Sequence, residues 1–330
     1  MVKELDYLYL TSLIRAREPK SFSGAVRARI LEAPGFDEAA RQLQELGYPD
    51  LSGMDAGQIS KALEQYRAEK LEELEGLSPE AELIQVFRLR FDYHNAKTLI
   101  KSEAASTDGA RLLLGAGRFA PDKLQKDFEN DALGSYPEIF AAALIEAKST
   151  LGRTENPQLA DFVLDAAYFS ELEGLAQSIS SPLVREYVRR LTDSANLSAA
   201  VRTLRMGRDA GFLKQALFSG GSVDFGEFLR EALTAEELEK LFSDTIFAKA
   251  AELGAKSAAG GSLSEFERER DGALRRWLDG LGRVTYGAEA PLQYLANFES
   301  ELADVRVFLT GLLSGVSREQ LRKKLGDANA

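Results

Sequence analysis

Five side chains that can take part in chemistry lie within six residues of the segment "LRFDYHNAKTLIKS", residues 89–102. They are Asp92, Tyr93, His94, Asn95 and Lys97, and His94 is the single histidine of the 330-residue chain. An imidazole close to a carboxylate and a phenol is typical of general acid and base catalysis. One interpretation is therefore an enzyme that uses His94 with Asp92 or Tyr93 as acid and base.

Composition narrows the kinds of site that the chain can hold. The chain is 45% apolar, carries a net charge of −11 and contains no cysteine. The acidic balance argues against a nucleic-acid surface, because phosphate binding depends on clustered Lys and Arg. Thiolate nucleophiles and cysteine-based metal sites are excluded, and one histidine excludes a zinc site with two or three His ligands. We predict a globular protein with no metal and no cofactor.

Nothing in the chain predicts membrane insertion. The first residues, "MVKELDYLYL", lack the basic start and apolar run of a signal peptide. The longest apolar stretches, residues 139–147 and 305–316, are shorter than the roughly 20 residues needed to cross a bilayer. We expect any membrane contact to run through a partner.

Apolar residues recur at three- and four-residue spacing, which predicts an all-α protein. Helices are predicted near residues 1–17, 55–75, 79–103, 135–150, 157–177, 182–207, 262–281 and 288–314. Capping residues before proline predict helix starts at Ser78-Pro79, Asn156-Pro157 and Ser181-Pro182. Capping boxes predict three more starts, at Thr234 with Glu237, Ser264 with Glu267, and Ser317 with Gln320. Glycine-rich breaks at residues 112–121, 218–222 and 258–262 predict loops.

The acid and the amide of the opening segment recur 101 residues later. Asp92 and Asn95 match Asp193 and Asn196, and the flanking residues match without a gap. By the same offset Arg88 aligns with Arg189, and Glu64 with Asp165. A period this long indicates repeated helical subdomains rather than short solenoid units.

A weaker third copy lies near the C-terminus. Glu301 and Asp304 occupy the acid and amide positions, and Arg306 stands where Lys97 stands. We therefore predict a single domain over residues 1–330, built of three helical repeats. Their cores lie near residues 60–103, 160–207 and 262–315.

The repeated residues predict a structural role. Positions 88, 92 and 95 share one helix face, so Arg88 is expected to pair with Asp92 while Asn95 bonds to a neighbouring helix. The same clasp is expected of Arg189, Asp193 and Asn196, and such groups fix helix register when their bonds are satisfied. His94 aligns with Ala195 and Leu302 in the other copies. The repeat therefore does not require the histidine, which favours packing over catalysis.

Other patterns are weak. The glycines at residues 115–117 and 219–221 are not followed by Lys and Ser or Thr, so they do not predict a phosphate loop. The acidic run at residues 69–82 is typical of a solvated helix face. The basic segment at residues 317–327 fits the favourable placement of cations at a helix C-terminus.

The three repeat cores resemble the C subunit of the bacterial and archaeal V/A-type ATPase, which is the homologue of the d subunit of the eukaryotic V-ATPase. They are "LRFDYHNAKTLIK", "RLTDSANLSAAVR" and "YGAEAPLQYLANFESELADVRVFLTGLLSG". The third is the most specific, through Tyr286-Gly287, Pro291, Tyr294-Leu295, Glu299, Glu301, Gly311 and Gly315. The resemblance runs from about residue 60 to the end, with a weaker match at "YLYLTSLIRARE". The chain departs from the family at Ser198, where a basic residue is usual, and at "FSGGS", which replaces a more basic loop.

The resemblance implies an all-helical funnel of three similar subdomains in pseudo-threefold arrangement. Such a subunit performs no chemistry and needs no cofactor. It joins the central-shaft subunits to the proteolipid rotor ring at the cytoplasmic face of the membrane, and it passes torque for proton or sodium transport. Two alternatives remain at this point, the acid–base enzyme centred on His94 and a free-standing helical-repeat scaffold.

Overall fold

The computed structural model describes residues 2–229, 233–282 and 287–325. In that part of the chain every regular element is a helix, so the predicted all-α class is confirmed. The α-helices are α1 Leu8–Arg17, α2 Gly24–Leu31, α3 Phe36–Glu45, α4 Ala56–Leu77, α5 Ala81–Ala104, α6 Pro121–Glu129, α7 Glu138–Thr154, α8 Pro157–Ser178, α9 Pro182–Arg205, α10 Ala210–Ala216, α11 Ala235–Phe242, α12 Ala248–Ala258, α13 Leu263–Gly280, α14 Glu289–Leu313 and α15 Arg318–Leu325. Short 3-10 turns occur at Glu4–Tyr7, Glu18–Lys20, Ala110–Leu112, Leu133–Ser135 and Glu227–Leu229.

The eight predicted helices correspond to α1, α4, α5, α7, α8, α9, α13 and α14. The largest difference is at the first N-terminus, and α7 is displaced at both ends, to Glu138–Thr154 from the predicted 135–150. The first predicted helix begins with the 3-10 turn Glu4–Tyr7, and its first residue, Met1, lies outside the described residues. Helix α7 begins at Glu138 because Pro137 before it is extended. Tyr286 of the third repeat core and residues 326–327 of the basic segment also lie outside the described residues.

Four of the predicted helix caps are confirmed. The side chains of Asn156 and Ser181 accept hydrogen bonds from backbone N–H groups in the first turns of α8 and α9. Thr234 and Glu237 form the complete capping box of α11. Ser317 accepts from the N–H of Gln320 at 3.3 Å. Each cap supplies an acceptor to a helix N–H that has no partner within the helix.

Two predicted helix starts are wrong. Ser78 ends α4, since its N–H bonds to the carbonyl of Glu75, and α5 begins only at Ala81. The cap of α13 is Ser262, whose hydroxyl accepts from the N–H of Glu265 at 3.2 Å, so Ser264 lies inside the helix. Gly260, with a φ of +104°, turns the chain out of α12 and leaves Ser262 extended at once.

One compact unit comprises residues 2–84, 114–117 and 287–325 of the described chain. Its core is formed by apolar side chains of α2, α3, α4, α14 and α15. Aromatic rings meet across it, with centroids 6.3 Å apart for Phe22 and Phe308 and 5.8 Å apart for Tyr66 and Phe298. Helix α14 packs on α1, α3, α4 and α15, so it is the central element of this unit.

The other compact unit comprises residues 85–113 and 118–282, apart from 230–232. Helix α7 packs along α8, and α8 packs on α9. Helix α9 then forms a core with α10, α11, α12 and α13, in which Phe242, Phe247 and Phe266 are fully buried. Helix α9 is therefore the central element of this unit, as α14 is of the other.

Helix α12 approaches α9 and α13 closely because it carries a glycine at the contact. A Cβ built on Gly254 would lie 2.5 Å from Cγ2 of Val201 and 3.3 Å from the ring of Phe266. Real carbon atoms do not approach to 2.5 Å, and both neighbours belong to the buried core. Gly254 therefore sets the distance between these three helices.

We predict that Gly254→Ala lowers the free energy of unfolding by about 1 to 3 kcal/mol, because the added methyl group overpacks the core. Gly174→Ala in α8 is the matched control, since its Cβ would meet nothing within 4 Å. Helix propensity alone should make that control more stable by up to about 1 kcal/mol. Urea denaturation measures both, and a Gly254→Ala protein as stable as the wild type would contradict the packing described.

Candidate functional site

Asp92 lies at the centre of a network of charged and polar groups on α5. Its side chain is fully buried. Oδ1 accepts from the backbone N–H of Arg118 at 2.8 Å and of Phe119 at 3.4 Å, and Oδ2 accepts from Nε of Arg118 at 2.6 Å. Burial raises the pKa of Asp92 to about 6, although Arg118 and the two N–H groups act to lower it.

Arg118 extends this network to α8. Its Nη1 donates to Oε1 of Glu171 at 2.7 Å, and the hydroxyl of Tyr93 donates to Oε2 of the same carboxylate at 2.9 Å. Burial raises the pKa of Tyr93 above its ordinary range, and the neighbouring Glu171 adds to that effect. The phenol is thus held as a neutral donor, which suits packing and not proton transfer at neutral pH.

The structure does not bring His94 together with Asp92. His94 is exposed, and its Nε2 lies 3.3 Å from the carbonyl oxygen of Leu112. Residues two apart on a helix point in different directions, so the imidazole faces solvent while the carboxylate faces the core. With both oxygens of Asp92 bonded and none of its surface exposed, a substrate has no access to that carboxyl group.

Asp193 on α9 is also buried, with 1% of its surface exposed. Its Oδ1 accepts from the N–H of Ser222 at 2.8 Å and of Val223 at 3.2 Å, and the hydroxyl of Ser222 donates to Oδ2. Burial raises the pKa of Asp193, while the bonds from Ser222 and Val223 lower it. Among the described residues, a hydroxyl group takes the place beside Asp193 that Arg118 has beside Asp92.

The glycine-rich loop "FSGGS" is required by this arrangement. A Cβ on Gly221 would fall well inside van der Waals contact with Oδ1 of Asp193. Asn196 fixes the start of the same loop, since its Nδ2 donates to the carbonyl of Phe218 at 2.8 Å and its Oδ1 accepts from the N–H of Phe218 at 2.8 Å. The departure from a more basic loop thus coincides with a close approach of backbone to a buried carboxylate.

Glu301 on α14 accepts from a loop in the same way. Its Oε2 accepts from the N–H of Phe22 at 3.1 Å and from the hydroxyl of Tyr48 at 3.3 Å. Burial raises the pKa of Glu301, and the bond from Phe22 lowers it. The loop here precedes the acid by 279 residues in the chain, whereas the loops of Asp92 and Asp193 follow their acids.

The other two residues of the third copy form ion pairs. Asp304 lies 3.3 Å from Nη1 of Arg27 in α2, and Arg27 also donates to the carbonyl of Leu325. Arg306 lies 3.9 Å from Glu64 of α4, with 53% of its side chain exposed. Asp304 therefore joins α14 to α2 through an ion pair with Arg27. Asn196, at the matching position of the second copy, bonds directly to backbone.

The pairing expected along each helix is not what the structure shows. The arginine bound to Asp92 is Arg118 from the loop, while Arg88 is half-buried. Arg189 is exposed and forms no ion pair with any residue of the described chain. Asn95 is fully buried, and Asn196 bonds to loop backbone instead of a helix. The helix position of each acid was predicted, but the source of its partners was not.

Sequence reasoning missed the loop residues because their contribution is backbone N–H, which any residue except proline supplies. Two signals were present. The glycine-rich breaks at residues 112–121 and 218–222 begin 20 residues after Asp92 and 25 residues after Asp193. Arg118 stands within the first of them, and a lone arginine in a glycine-rich loop pointed to a buried acid as its partner.

Ser198 leaves an open groove along α9. Lys97, its counterpart in α5, reaches Oδ1 of Asp165 at 2.6 Å, whereas the serine side chain is too short to cross to a neighbouring helix. A groove of about 450 Å³ lies here, lined by Ser198 together with the rings of Phe169 and Phe218. Ser198 thus forms no ion pair across the helices like that of Lys97, and it lines the groove instead.

The described residues hold neither a metal cluster nor a membrane span. No three carboxylate or imidazole side chains of residues 2–229, 233–282 and 287–325 are placed to hold a metal ion. None of the helices in those ranges combines the length and the apolar character needed to span a bilayer.

We predict that Asp92→Ala and Asp193→Ala both lower stability, by unequal amounts. Asp92→Ala leaves the guanidinium of Arg118 buried with one counter-ion fewer, a loss of about 3 kcal/mol. Asp193→Ala removes hydrogen bonds but strands no cation, a loss of about 1 to 2 kcal/mol. Thermal and urea unfolding measure both.

Asp165→Ala is the control, because its pair with Lys97 is one-third exposed and should contribute under about 1 kcal/mol. Equal melting of the wild type and both buried-acid variants would show that these carboxylates do not hold the loops.

The comparisons with known proteins all indicate the same family. A family model described as ATP synthase (C/AC39) subunit matches residues 10–324. The C subunit of the V-type sodium ATPase of Enterococcus hirae is 21% identical, over 97% of this chain and 98% of the relative. The C subunit of the A-type ATP synthase of Methanocaldococcus jannaschii is 23% identical, over 97% of this chain and 86% of the relative.

A shorter match points to the same family. The C subunit of the V-type ATP synthase of Thermus thermophilus is 24% identical over 64% of this chain and 68% of the relative. The family model covers nearly the whole length, including α5, α9 and α14 with Asp92, Asp193 and Glu301. This chain therefore belongs to the family of ATP synthase (C/AC39) subunits.

Proposed function

We propose that this chain is a non-catalytic central-stalk rotor subunit of a V/A-type ATPase. It joins the soluble shaft subunits to the proteolipid ring and passes torque between ATP turnover and ion movement. The observation that carries the proposal is the family match over residues 10–324, together with relatives named as C subunits that align along almost their whole length. A match of that extent leaves little of the chain for a different activity.

The proposal assigns three acids, the buried Asp92 and Asp193 and the half-buried Glu301, to one task. Asp92, Asp193 and Glu301 each lie on a central helix and each accept backbone N–H groups from a loop. We regard the three as equivalent clasps, one for each of the three repeats predicted near residues 60–103, 160–207 and 262–315. A pseudo-threefold funnel of such units is the architecture that the family resemblance implies.

Torque transmission needs helices that do not slide past one another. Ion pairs tie each acid-bearing helix to a long neighbour, through Lys97 with Asp165, Arg202 with Glu267, and Arg306 with Glu64. Each pair alone contributes little in water. Together with the buried acids, they fix the register of α5 on α8, α9 on α13 and α14 on α4, which supports a stiff adaptor.

The proposed place of the subunit is the cytoplasmic face of the membrane. Its partners there are the shaft subunits and the ring, and its membrane contact runs through the ring alone. The net charge of −11 is suited to basic partner surfaces, because complementary charge raises the association rate and aligns the partners. The relative from Enterococcus hirae is named a sodium ATPase subunit; for this chain the proposal covers proton or sodium transport.

Co-purification tests the proposal. A tagged chain, expressed with the other ATPase subunits of its own genome, should recover both the shaft subunits and the proteolipid ring. His94→Ala should assemble equally well and support the same ATP-driven ion pumping, because the imidazole faces solvent beside a loop carbonyl.

Each rival function predicts a different result. An acid–base enzyme predicts that His94→Ala abolishes a measurable turnover while the fold stays intact. A free-standing scaffold predicts that deletion of the gene leaves ATP-driven ion pumping unchanged. Failure to recover either the shaft or the ring would contradict the rotor role.

A further inference from the structure

A small cavity in the unit built around α14 is surrounded by cationic and phenolic side chains. Its volume is about 190 Å³. Arg17 at the end of α1, Lys20 in the next turn and Lys70 on α4 supply three cations from three elements. Tyr66 of α4 and Tyr294 of α14 line it as well. We call this space the basic cavity.

The charges around the basic cavity do not balance. Nη2 of Arg17 lies 2.5 Å from Oε1 of Glu73, and Nζ of Lys70 lies 3.3 Å from Oε2 of the same residue. Two cations therefore share one carboxylate. Lys20 is exposed and forms no ion pair with the described residues. The excess positive charge attracts a negative group into the cavity.

The guanidinium of Arg17 has donor capacity left over. Its Nη1 is buried and has no hydrogen-bond acceptor of normal geometry in the described chain. The phenol oxygens of Tyr66 and Tyr294 lie near enough to feel its charge, which lowers the pKa of each hydroxyl against the larger rise caused by burial. Arg17 also shares a side-chain hydrogen bond with Tyr294, and both residues line the cavity together with Tyr66. The unpaired Nη1 and the phenol hydroxyls are therefore available as donors to an acceptor bound there.

One acid, Glu301, also lines the cavity. Its Oε2 is already bonded to the N–H of Phe22 and the hydroxyl of Tyr48. These two donors face the carboxylate and offset part of the repulsion that it offers an incoming anion.

We propose that the basic cavity binds a phosphate-type oxyanion, either free or as the end group of a small phosphate ester. A tetrahedral dianion presents acceptor oxygens in several directions, which matches cations placed on three different elements. The planar guanidinium donates to two oxygens at once, whereas the lysines act as point charges. The volume of about 190 Å³ is enough for a phosphate but too small for a folded peptide.

Isothermal titration of the purified full-length chain tests the site independently of any assembly. Inorganic phosphate is titrated above its second ionisation, at an ionic strength held constant with chloride. Saturable binding is expected, and Lys20→Gln or Lys70→Gln should each weaken it by about fivefold, as loss of one partly exposed charge contact does. The double variant should show no measurable binding.

Lys61→Gln is the matched control. Lys61 is exposed on α4, the same helix as Lys70, and does not line the cavity. It should bind phosphate like the wild type, which separates a local site from a general effect of net charge. Without phosphate, the Lys20→Gln, Lys70→Gln and Lys61→Gln variants should melt like the wild type, because the ion pair of Arg17 with Glu73 remains in each.

A second titration, with glycerol 3-phosphate, distinguishes the two sources of the anion. Tighter binding of the ester identifies an end group as the ligand, and tighter binding of phosphate identifies the free anion. The proposal is overturned if neither probe saturates, or if Lys61→Gln weakens binding as much as Lys20→Gln and Lys70→Gln.

Discussion

A carboxylate buried in a helical protein must be supplied with hydrogen-bond donors, and here backbone N–H groups of loops supply them. Asp92, Asp193 and Glu301 each accept from at least one such group. Removing an ionised carboxylate from water without donors costs several kcal/mol, so Asp92 and Asp193 can be buried only when their loops are in place. The loop N–H groups in turn bond to the carboxylate. Loop and helix therefore position each other.

The three acids differ in the side chain that donates to them beside the loop N–H groups. Asp92 forms an ion pair with Arg118, and Arg118 forms a second ion pair with Glu171. Beside Asp193 a serine hydroxyl donates, and beside Glu301 the phenol of Tyr48 donates. The acid and the loop N–H are shared, while the third group varies. The shared contacts hold the helices, and the variable ones leave room for local surfaces to differ.

The helices could be predicted from the sequence because they depend on local patterns. Asn156, Ser181 and Thr234 cap helices where capping rules place them. The apolar spacing locates seven of the eight predicted helices to within four residues at each end, and the first, α1, begins seven residues later than predicted. Ser264 was assigned as a cap because its spacing to Glu267 fits a capping box, but the turn at Gly260 makes Ser262 the first extended residue. Local rules fail there because a preceding glycine decides the chain direction.

Only one half of the candidate site, the acids, could be predicted from the sequence. The repeat at Asp92 and Asp193 identified the acids, since side chains carry a sequence signal. Their partners came from loops 26 to 30 residues away for these two acids, and from the opposite end of the chain for Glu301. Any residue except proline supplies a backbone N–H, so the sequence does not mark these donors. The same-helix pairing predicted for Asp92 with Arg88 and for Asp193 with Arg189 is therefore wrong.

Hydrogen exchange at the loop amides tests most directly whether the acids hold the loops. In wild type the N–H groups of Ser222 and Val223 should exchange slowly, because they donate to buried Asp193. Asp193→Ala should speed exchange at these two amides by more than tenfold, the size of one lost bond of about 1.4 kcal/mol, while amides within α9 stay protected. Unchanged exchange at Ser222 and Val223 in Asp193→Ala would contradict the account.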